Sequence, residues 1–403
     1  MSAAVIGAGA AGLTAAIAAA ENGADVVIYE SEARCGRKIL ATGNGRCNMT
    51  NRNASLEHYH GERPDFVKGA MHRFWVEETI EFFERLGIVC KTEDDGKVYP
   101  YSDQASAVLD VLRMRCDELG IKIVTGFDVS AVKRNRKGFE IHSYSGEKAF
   151  AETVLIAAGG KASPALGSKG MGYKLLKSFG HRITALRPSL VQIKTAPETV
   201  KKLKGIKIDA EAKMGKFCER GEVLFTDYGL SGPPIFSLSS RLDGHKKIEL
   251  DLMPDYTFEQ IKEMLYIRMS INPDRNLENF FVGMLNKKVG MALLKDAGVS
   301  PLSRKSCTLG EKEIEKAARL IKKWSFDIQG TMSWNNAQVT KGGAATDEFD
   351  PVTMESRLVR GLYAAGEVLD IDGDCGGYNL QWAWSSGTLA GKAIANIVRK
   401  GEI

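Results

Sequence analysis

The sequence predicts an α/β protein. Its first and last stretches together make a doubly wound, parallel-sheet domain, interrupted by a β-barrel-like domain that carries a helical insertion. Three observations lead there. An apolar strand, a glycine-rich turn and an alanine-rich helix open the chain, and a second apolar strand follows at Ala24-Asp-Val-Val-Ile-Tyr29. From residue 188 to 252 the pattern changes to short strands punctuated by Gly and Pro, and from 257 to 323 to helical periodicity with charged faces. After Thr331 strands and glycines return, and a last helix runs from Tyr378 or Asn379 through Val398. The expected limits are 1–187 and 336–403 for the parallel-sheet domain, 188–256 with 324–335 for the barrel-like domain, and 257–323 for the helical insertion.

In the first domain, apolar positions at helical spacing from Phe66 to Leu86 predict a helix ending at Gly87, and Ala105 to Leu119 predicts another ending at Gly120. The strand Ile121–Val124 leads into three β segments near 128–134, 138–144 and 148–156, with turns at Asn135–Gly138 and Ser145-Gly146. In the insertion, helices are expected over Phe258–Met269, Leu277–Leu285, Val289–Leu294 and Glu311–Lys323.

The opening turn is Gly7-Ala-Gly9-Ala10-Ala11-Gly12, a GxGxxG between a strand and a helix. That spacing lets the chain turn tightly and brings a pyrophosphate onto the N–H groups at the helix N-terminus, where the peptide dipoles favour an anion. A glycine turn alone can merely permit close packing. Here Glu30 stands at the end of the second strand, 18 residues beyond Gly12, where a ribose-binding carboxylate belongs. A glutamate there disfavours a 2′-phosphate. A second small-residue segment, Gly361-Leu-Tyr-Ala-Ala-Gly366-Glu367, precedes Cys375-Gly376-Gly377-Tyr378-Asn379-Leu380 at the start of the last helix. Two such segments at opposite ends of a Rossmann-like domain point to FAD.

Composition bounds the rest. With 403 residues and 44% hydrophobic content, two or three well-packed domains are expected. No apolar run approaches the roughly 20 residues of a membrane span, and the first strand begins without a basic leader, so a cytoplasmic location is expected. Seven cysteines without a CxxC pair argue against zinc, a redox pair or a disulfide framework, and no metal is expected. The formal net charge of +5 is spread along the chain, and short clusters such as Lys201-Lys-Leu-Lys204 read as solvated faces, so nucleic acid is not implied.

Longer strings carry a resemblance: Gly36-Arg37-Lys38 through Gly45-Arg46-Cys47 to Asn51, Phe225–Pro233, Val339–Gly343, and Gly361 through Gly391. They resemble the glutathione-reductase-type flavoproteins, and within them the bacterial NAD(P)/FAD-dependent oxidoreductase family, along the whole chain. The resemblance implies a FAD domain interrupted by barrel-like and helical domains. It places Gly7, Gly9, Ala10, Ala11 and Gly12 at the pyrophosphate, Glu30 on the adenosine ribose, and Arg37 and Lys38 beside the phosphates. It sets Gly45, Arg46 and Cys47 near the flavin, Val129 by the adenine, and Ala158 and Gly159 close to the cofactor. Gly366 and Glu367 would meet the ribityl chain, with Asp370 and Asp374 as the other acidic candidates. The start of the last helix, Gly376, Gly377, Tyr378, Asn379 and Leu380, would face the pyrimidine edge of the flavin, where reduction places negative charge.

Two activities occur among proteins of this kind: reduction of a carbon–carbon double bond conjugated to a ketone in 3-oxo steroid or bile-acid intermediates, and oxidation of a small amine such as aminoacetone. The first is favoured here, because no anionic pocket or aromatic cage suits a small cation, whereas the apolar C-terminal helix could serve a steroid; Trp382 and Trp384 could wall an apolar site, but two residues apart on a helix they cannot both face one side, and one of them is expected in the core. Tyr378, Tyr228 and Cys375 are the candidate proton donors. No second dinucleotide fingerprint is present, so NAD(P)H would visit the flavin transiently. A non-catalytic FAD-fold binding protein is the remaining alternative. His58 and His60 read as a solvated loop.

Overall fold

The computed structural model describes residues 2–242 and 244–400. The chain divides into two compact units, 1–189 with 337–403, and 190–336.

In the first unit, β1 (Ser2–Ile6) leads through Gly7–Gly9 into α1 (Ala10–Glu21) and β2 (Asp25–Glu30). Next come β3 (Tyr59–His60), α2 (Val76–Arg85), α3 (Ala105–Glu118) and β4 (Lys122–Thr125). An antiparallel meander of β5 (Val129–Arg134), β6 (Phe139–Ser143) and β7 (Lys148–Ala151) precedes β8 (Thr153–Ile156). The second unit holds β9 (Ile193–Thr195), β10 (Lys207–Met214), β11 (Phe217–Phe225), β12 (Gly229–Ser231), β13 (Lys247–Asp251), α4 (Phe258–Ile271), α5 (Lys287–Asp296), α6 (Glu311–Lys322) and β14 (Trp324–Thr331). The first unit then resumes with β15 (Val339–Lys341), β16 (Leu362–Ala364), β17 (Asp372–Gly373) and α7 (Tyr378–Lys400).

The central sheet of the first unit is parallel throughout, in the order β16-β8-β1-β2-β4. Its inner strands are apolar on both faces, as a sheet covered on both sides requires; β8 is buried at all four positions. The α1 helix is buried from Ala11 to Ala19, because α7 lies against it with its backbone. A Cβ on Gly387 would come within 2.4 Å of the Ala11 carbonyl oxygen, and one on Gly391 within 2.2 Å of that of Ala15.

In the second unit the strands close into an antiparallel barrel, β9-β12-β11-β10-β13-β14. Alternation sets its interior: Ala210, Ala212 and Met214 of β10 and Val223 and Phe225 of β11 are fully buried. Helix α6 buries Ile314, Ala317, Ala318 and Ile321, the i, i+3, i+4, i+7 stripe of an amphipathic helix. Helix α4 starts in a capping box, in which Thr257 Oγ1 accepts from Gln260 N at 3.2 Å and Gln260 Oε1 accepts from Thr257 N at 2.9 Å.

Three expected elements differ. The helix expected over 66–86 is broken into a 3₁₀ turn, a short helix Lys68–Met71 and α2, which starts only at Val76. The helix expected over 277–285 is a 3₁₀ turn at Leu277–Asn279 followed by further turns. The third meander strand is two strands, β7 pairing in the meander and β8 in the parallel sheet.

Candidate active site

The site is built at the carboxyl edge of the parallel sheet, where the chain leaves β1, β2, β8 and β16. The three fingerprint glycines divide by what surrounds them. A Cβ on Gly7 (φ +107°) would lie 2.6 Å from the Ala157 carbonyl oxygen, and one on Gly12 would lie 1.9 Å from that of Gly7. Both positions are closed by packing. Around Gly9 nothing lies within 4 Å of an added Cβ, and no side chain caps the helix it starts. The first-turn N–H groups at Ala10 and Ala11 therefore open onto free space at an anion-favouring helix end. Gly12→Ala is expected to cost on the order of 3 kcal/mol, because α1 must shift off β1; thermal unfolding and flavin content of the purified variant check it.

Glu30 pins this turn. Its Oε2 accepts from Ala8 N at 2.7 Å, and its Oε1 accepts from Glu32 N at 2.9 Å and Ser31 Oγ at 3.3 Å. Phe127 N donates to the Glu30 carbonyl at 2.9 Å, which sets the buried Val129 just beyond the end of β2. Ala158 and Gly159 follow β8 beside Gly7, and Gly159 (φ +67°) meets only Ser168 Oγ at 3.4 Å. The second glycine segment arrives against the first: a Cβ on Gly366 would lie 2.8 Å from Ala11 Cβ.

The segment after β2 joins the same edge. Gly36 N donates to Ala8 O at 2.9 Å. Arg37 pairs with Glu32, which also holds Lys169 at 2.8 Å; Lys169 first and Arg37 with it keep that carboxyl below its usual range. Lys38 Nζ reaches Glu367 Oε2 at 2.6 Å, and Glu367 Oε1 accepts from Thr340 N at 2.8 Å. Glu367 is thus engaged through both oxygens. Gly45 is exposed with nothing within 4 Å of an added Cβ, whereas Arg46 turns away onto the Tyr99 ring (4.0 Å) and pairs with Glu93 at 2.8 Å. Cys47 is fully buried, and burial pushes its thiol up to about 12, so it carries no thiolate.

At the start of α7, Gly377 has φ +100°, and an added Cβ would lie 2.7 Å from the Thr50 carbonyl oxygen and 2.9 Å from Asn48 Oδ1. That Asn48 oxygen is buried without a hydrogen-bond partner. Asn48 belongs to a string singled out in the sequence, yet nothing in its spacing distinguishes it; an unsatisfied buried acceptor exists only once the fold is formed. Asn379 clamps the incoming strand, accepting from Gly373 N at 2.8 Å and donating to Gly373 O at 2.7 Å. Leu380 is half-buried beside it.

An open glycine at an uncapped helix N-terminus, a carboxylate at the end of β2 and an orphaned acceptor beside a second helix start form a cradle with the chemistry that FAD requires. The chain matches the family described as "HI0933-like protein Rossmann domain" over residues 1–393. It belongs to that family. It is 40% identical over 404 residues, covering 97% of this chain and 98% of the other, to a protein named 3-dehydro-bile acid delta(4,6)-reductase from Clostridium scindens. It is 31% identical, covering 97% of this chain and 98% of the other, to one named ribosomal RNA dihydrouridine synthase from Haemophilus influenzae. A solved 3-ketosteroid delta1-dehydrogenase from Sterolibacterium denitrificans shares the fold, with a TM-score of 0.50 at 12% identity, covering 98% of this chain and 99% of that one. This HI0933-like protein is an FAD-dependent oxidoreductase. Among the described residues, no helix is long and apolar enough to cross a membrane and no cluster of ligating side chains suits a metal.

In this HI0933-like chain the candidate proton donors are divided between the units. Cys375 and Tyr378 lead into α7; Tyr228 lies in the β11–β12 turn of the second unit, its carbonyl accepting from Thr195 N at 3.1 Å. The Tyr378 ring stacks on His58 (centroids 4.3 Å, 12°), and Tyr59 Oη donates to the Tyr378 carbonyl at 3.1 Å. His58 and His60 are not a solvated loop: His60 Nε2 lies 2.8 Å from Asp374 Oδ1 and His58 Nδ1 3.3 Å from Asp374 Oδ2. Asp370 is buried, accepts from Glu62 N at 3.1 Å, and is pushed up by that burial. Trp382 and Trp384 wall no substrate site. Both are core: Trp382 Nε1 donates to Gly366 O at 3.2 Å and Trp384 Nε1 to Met49 O at 2.9 Å. The face of α7 offered by the sequence to a steroid is spent on α1 and on these rings.

Proposed function

We propose that this protein reduces a carbon–carbon double bond conjugated to a carbonyl, with a 3-oxo-Δ4 or Δ4,6 steroid or bile-acid intermediate as the substrate. The observation that carries this is the full-length, 40% identical relative named as a bile-acid delta(4,6)-reductase, combined with the FAD cradle at the carboxyl edge of the sheet. The name of the second relative describes the same bond chemistry, since dihydrouridine is uridine whose C5–C6 double bond, conjugated to the C4 carbonyl, has been saturated.

Bound FAD supplies the hydride. In this reading the open helix end at Gly9–Gly12 holds the pyrophosphate and Glu30 the adenosine ribose. Arg37 and Lys38, held by Glu32 and Glu367, set positive charge beside the phosphates. Asn48 Oδ1 would accept from an N–H of the pyrimidine edge, and the N–H groups at Gly376–Tyr378 would stabilise negative charge there. Glu30→Gln is expected to weaken FAD binding roughly 10- to 100-fold, since a hydrogen bond to a charged group contributes about 1.5–3 kcal/mol; equilibrium dialysis of the apoprotein checks it. NAD(P)H is the expected reductant and must approach the flavin directly.

A second substrate is favoured by one observation. Residues 190–336 carry 24 Lys and Arg against 19 Asp and Glu, while the rest of the chain carries 31 of each, so the whole net charge of +5 resides in the inserted unit. A basic unit inserted in the sequence of a flavin-binding chain suits an RNA uridine as the conjugated substrate. Anaerobic photoreduction of the holoenzyme, followed by addition of a 3-oxo-Δ4 steroid or a ribosomal RNA fragment, separates the two. Reoxidation of the flavin by the steroid is expected; reoxidation by RNA alone moves the substrate to uridine, and reoxidation by neither, with bleaching of oxidised flavin by aminoacetone, overturns the reductase.

A further inference from the structure

Three acidic residues that the sequence offers as partners of the cofactor, Glu367, Asp370 and Asp374, each already have protein partners. A fourth, on the same segment, has none. Asp372, in β17, is 1% exposed, and neither of its carboxylate oxygens has a hydrogen-bond partner. A buried carboxyl left without donors is costly to ionise and unusual in a native structure.

Its place in the fold is specific. It pairs across the strands with His60 of β3. The next residue, Gly373, is clamped by Asn379 and packs on Tyr378, since an added Cβ there would lie 2.8 Å from Tyr378 Cβ. The backbone at Asp372 is therefore held at the first residues of α7, beside the helix start proposed to meet the flavin, while strand alternation puts its side chain on the opposite face from Gly373's, the face it shares with His60. The charged groups facing it are Asp370 and Asp374 on its own segment, His60 on β3 and Lys341 on β15. Burial, the largest influence, and the two aspartates raise it, and His60 and Lys341 oppose them, leaving a carboxyl pushed up to about 6. Such a group exchanges its proton close to neutral pH.

We propose that the Asp372 carboxyl is the proton carrier of this site, an assignment that rests on the enone-reductase reading. As hydride reaches the β carbon of the conjugated substrate, the O–H bond of Asp372 breaks and its proton forms the new C–H bond at the α carbon, using the electron pair of the enolate. The carboxylate regains a proton from solvent by way of His60, which is partly exposed and paired with Asp374. Tyr378, Tyr228 and Cys375 are not needed for this transfer.

The test uses the FAD-loaded protein and Asp372→Asn. First, the flavin midpoint potential is measured against pH without substrate. The wild type is expected to show an inflection near pH 6, from the carboxyl titrating beside the flavin, and Asp372→Asn is expected to lack it. Second, after photoreduction, reoxidation by a 3-oxo-Δ4 steroid is expected to fall about 100-fold in Asp372→Asn, the scale of a lost general acid, and in the wild type to fall as pH rises above the inflection. Identical potentials at every pH, or a reoxidation rate within about twofold of wild type, overturns the proposal. If Asp372→Asn does not retain flavin, Asp372→Glu must shift the inflection, and an unshifted one overturns the assignment. If no conjugated carbonyl compound reoxidises the wild type, the enone reading and the proton transfer fall together, and the inflection alone decides whether Asp372 faces the flavin.

Discussion

Replacing Trp384 by alanine is expected to destabilise the flavin-binding unit by about 3–5 kcal/mol, the cost of emptying a fully buried aromatic site. The residue is 0% exposed. Its ring meets Phe83 of α2 edge to face at 5.1 Å, and its indole N–H donates to the Met49 carbonyl at 2.9 Å. One side chain thus ties α7 both to α2 and to the segment carrying Asn48. Truncation removes the aromatic area and leaves the Met49 carbonyl without its donor, so the penalty combines a cavity with an unsatisfied acceptor. For a unit of this size the unfolding midpoint should fall by roughly 10 °C. Flavin release on heating should shift with it, because the Asn48 segment loses its anchor. Scanning calorimetry with simultaneous flavin fluorescence checks both, and a fall of the midpoint with flavin retained to the wild-type temperature would separate the anchor from the core.

What the sequence discloses of this fold is what local spacing controls. The βαβ unit, the fingerprint glycines and Glu30 lie within one short stretch, and the periodicities that place them need no distant partner. The barrel alternation of β10 and β11 is equally local. The two broken helices show where that ends. At residue 75 the chain starts a new helix on a tryptophan, and Glu78 Oε2 accepts from the Trp75 N–H at 2.9 Å. The capping glutamate is present, but a tryptophan in the cap position gives no start signal, so continuous apolar spacing hides the break. At 280–282 the guanidinium of Arg268 takes the Phe280 carbonyl at 2.8 Å and the Val282 carbonyl at 2.7 Å, acceptors that a continuing helix would use itself. Only the folded α4 brings that arginine there.

The site divides in the same way. The fingerprint glycines were legible because a GxGxxG between a strand and a helix is written in residue type and local spacing. Their differing roles were not: Gly7 and Gly12 are glycine because of neighbouring carbonyls, whereas Gly9 is glycine facing open space. Asn48 and Asp372 are distinguished by lacking partners, which is a property of everything packed around them. The charge excess of the inserted unit was present in the residue counts and became visible only when the boundaries at 190 and 336 were fixed.

Asp372→Asn should make the apoprotein more stable at pH 8 and leave it unchanged at pH 4. The carboxyl has an ordinary value of 3.8 and stands at about 6 in the folded chain. Because its folded value is raised, the native state binds the proton more tightly than the unfolded chain, and stability is lost as pH rises from about 4 to about 6. Below that window both states hold the proton and the group costs nothing. Above it, at 1.36 kcal/mol per unit, the native state bears a penalty on the order of 3 kcal/mol for an ionised carboxylate with no donor. An amide of the same shape avoids that charge at every pH, so the expected gain at pH 8 is about 2–3 kcal/mol, or roughly 5–10 °C in the unfolding midpoint. Thermal unfolding of both apoproteins across pH 4 to 8 measures it. A variant less stable than wild type at pH 8 would mean that the carboxylate has a donor in the fold. The predicted divergence of the two stability curves as pH rises, in a residue whose loss should also stop proton delivery, is the signature of a group retained for chemistry at the expense of the fold.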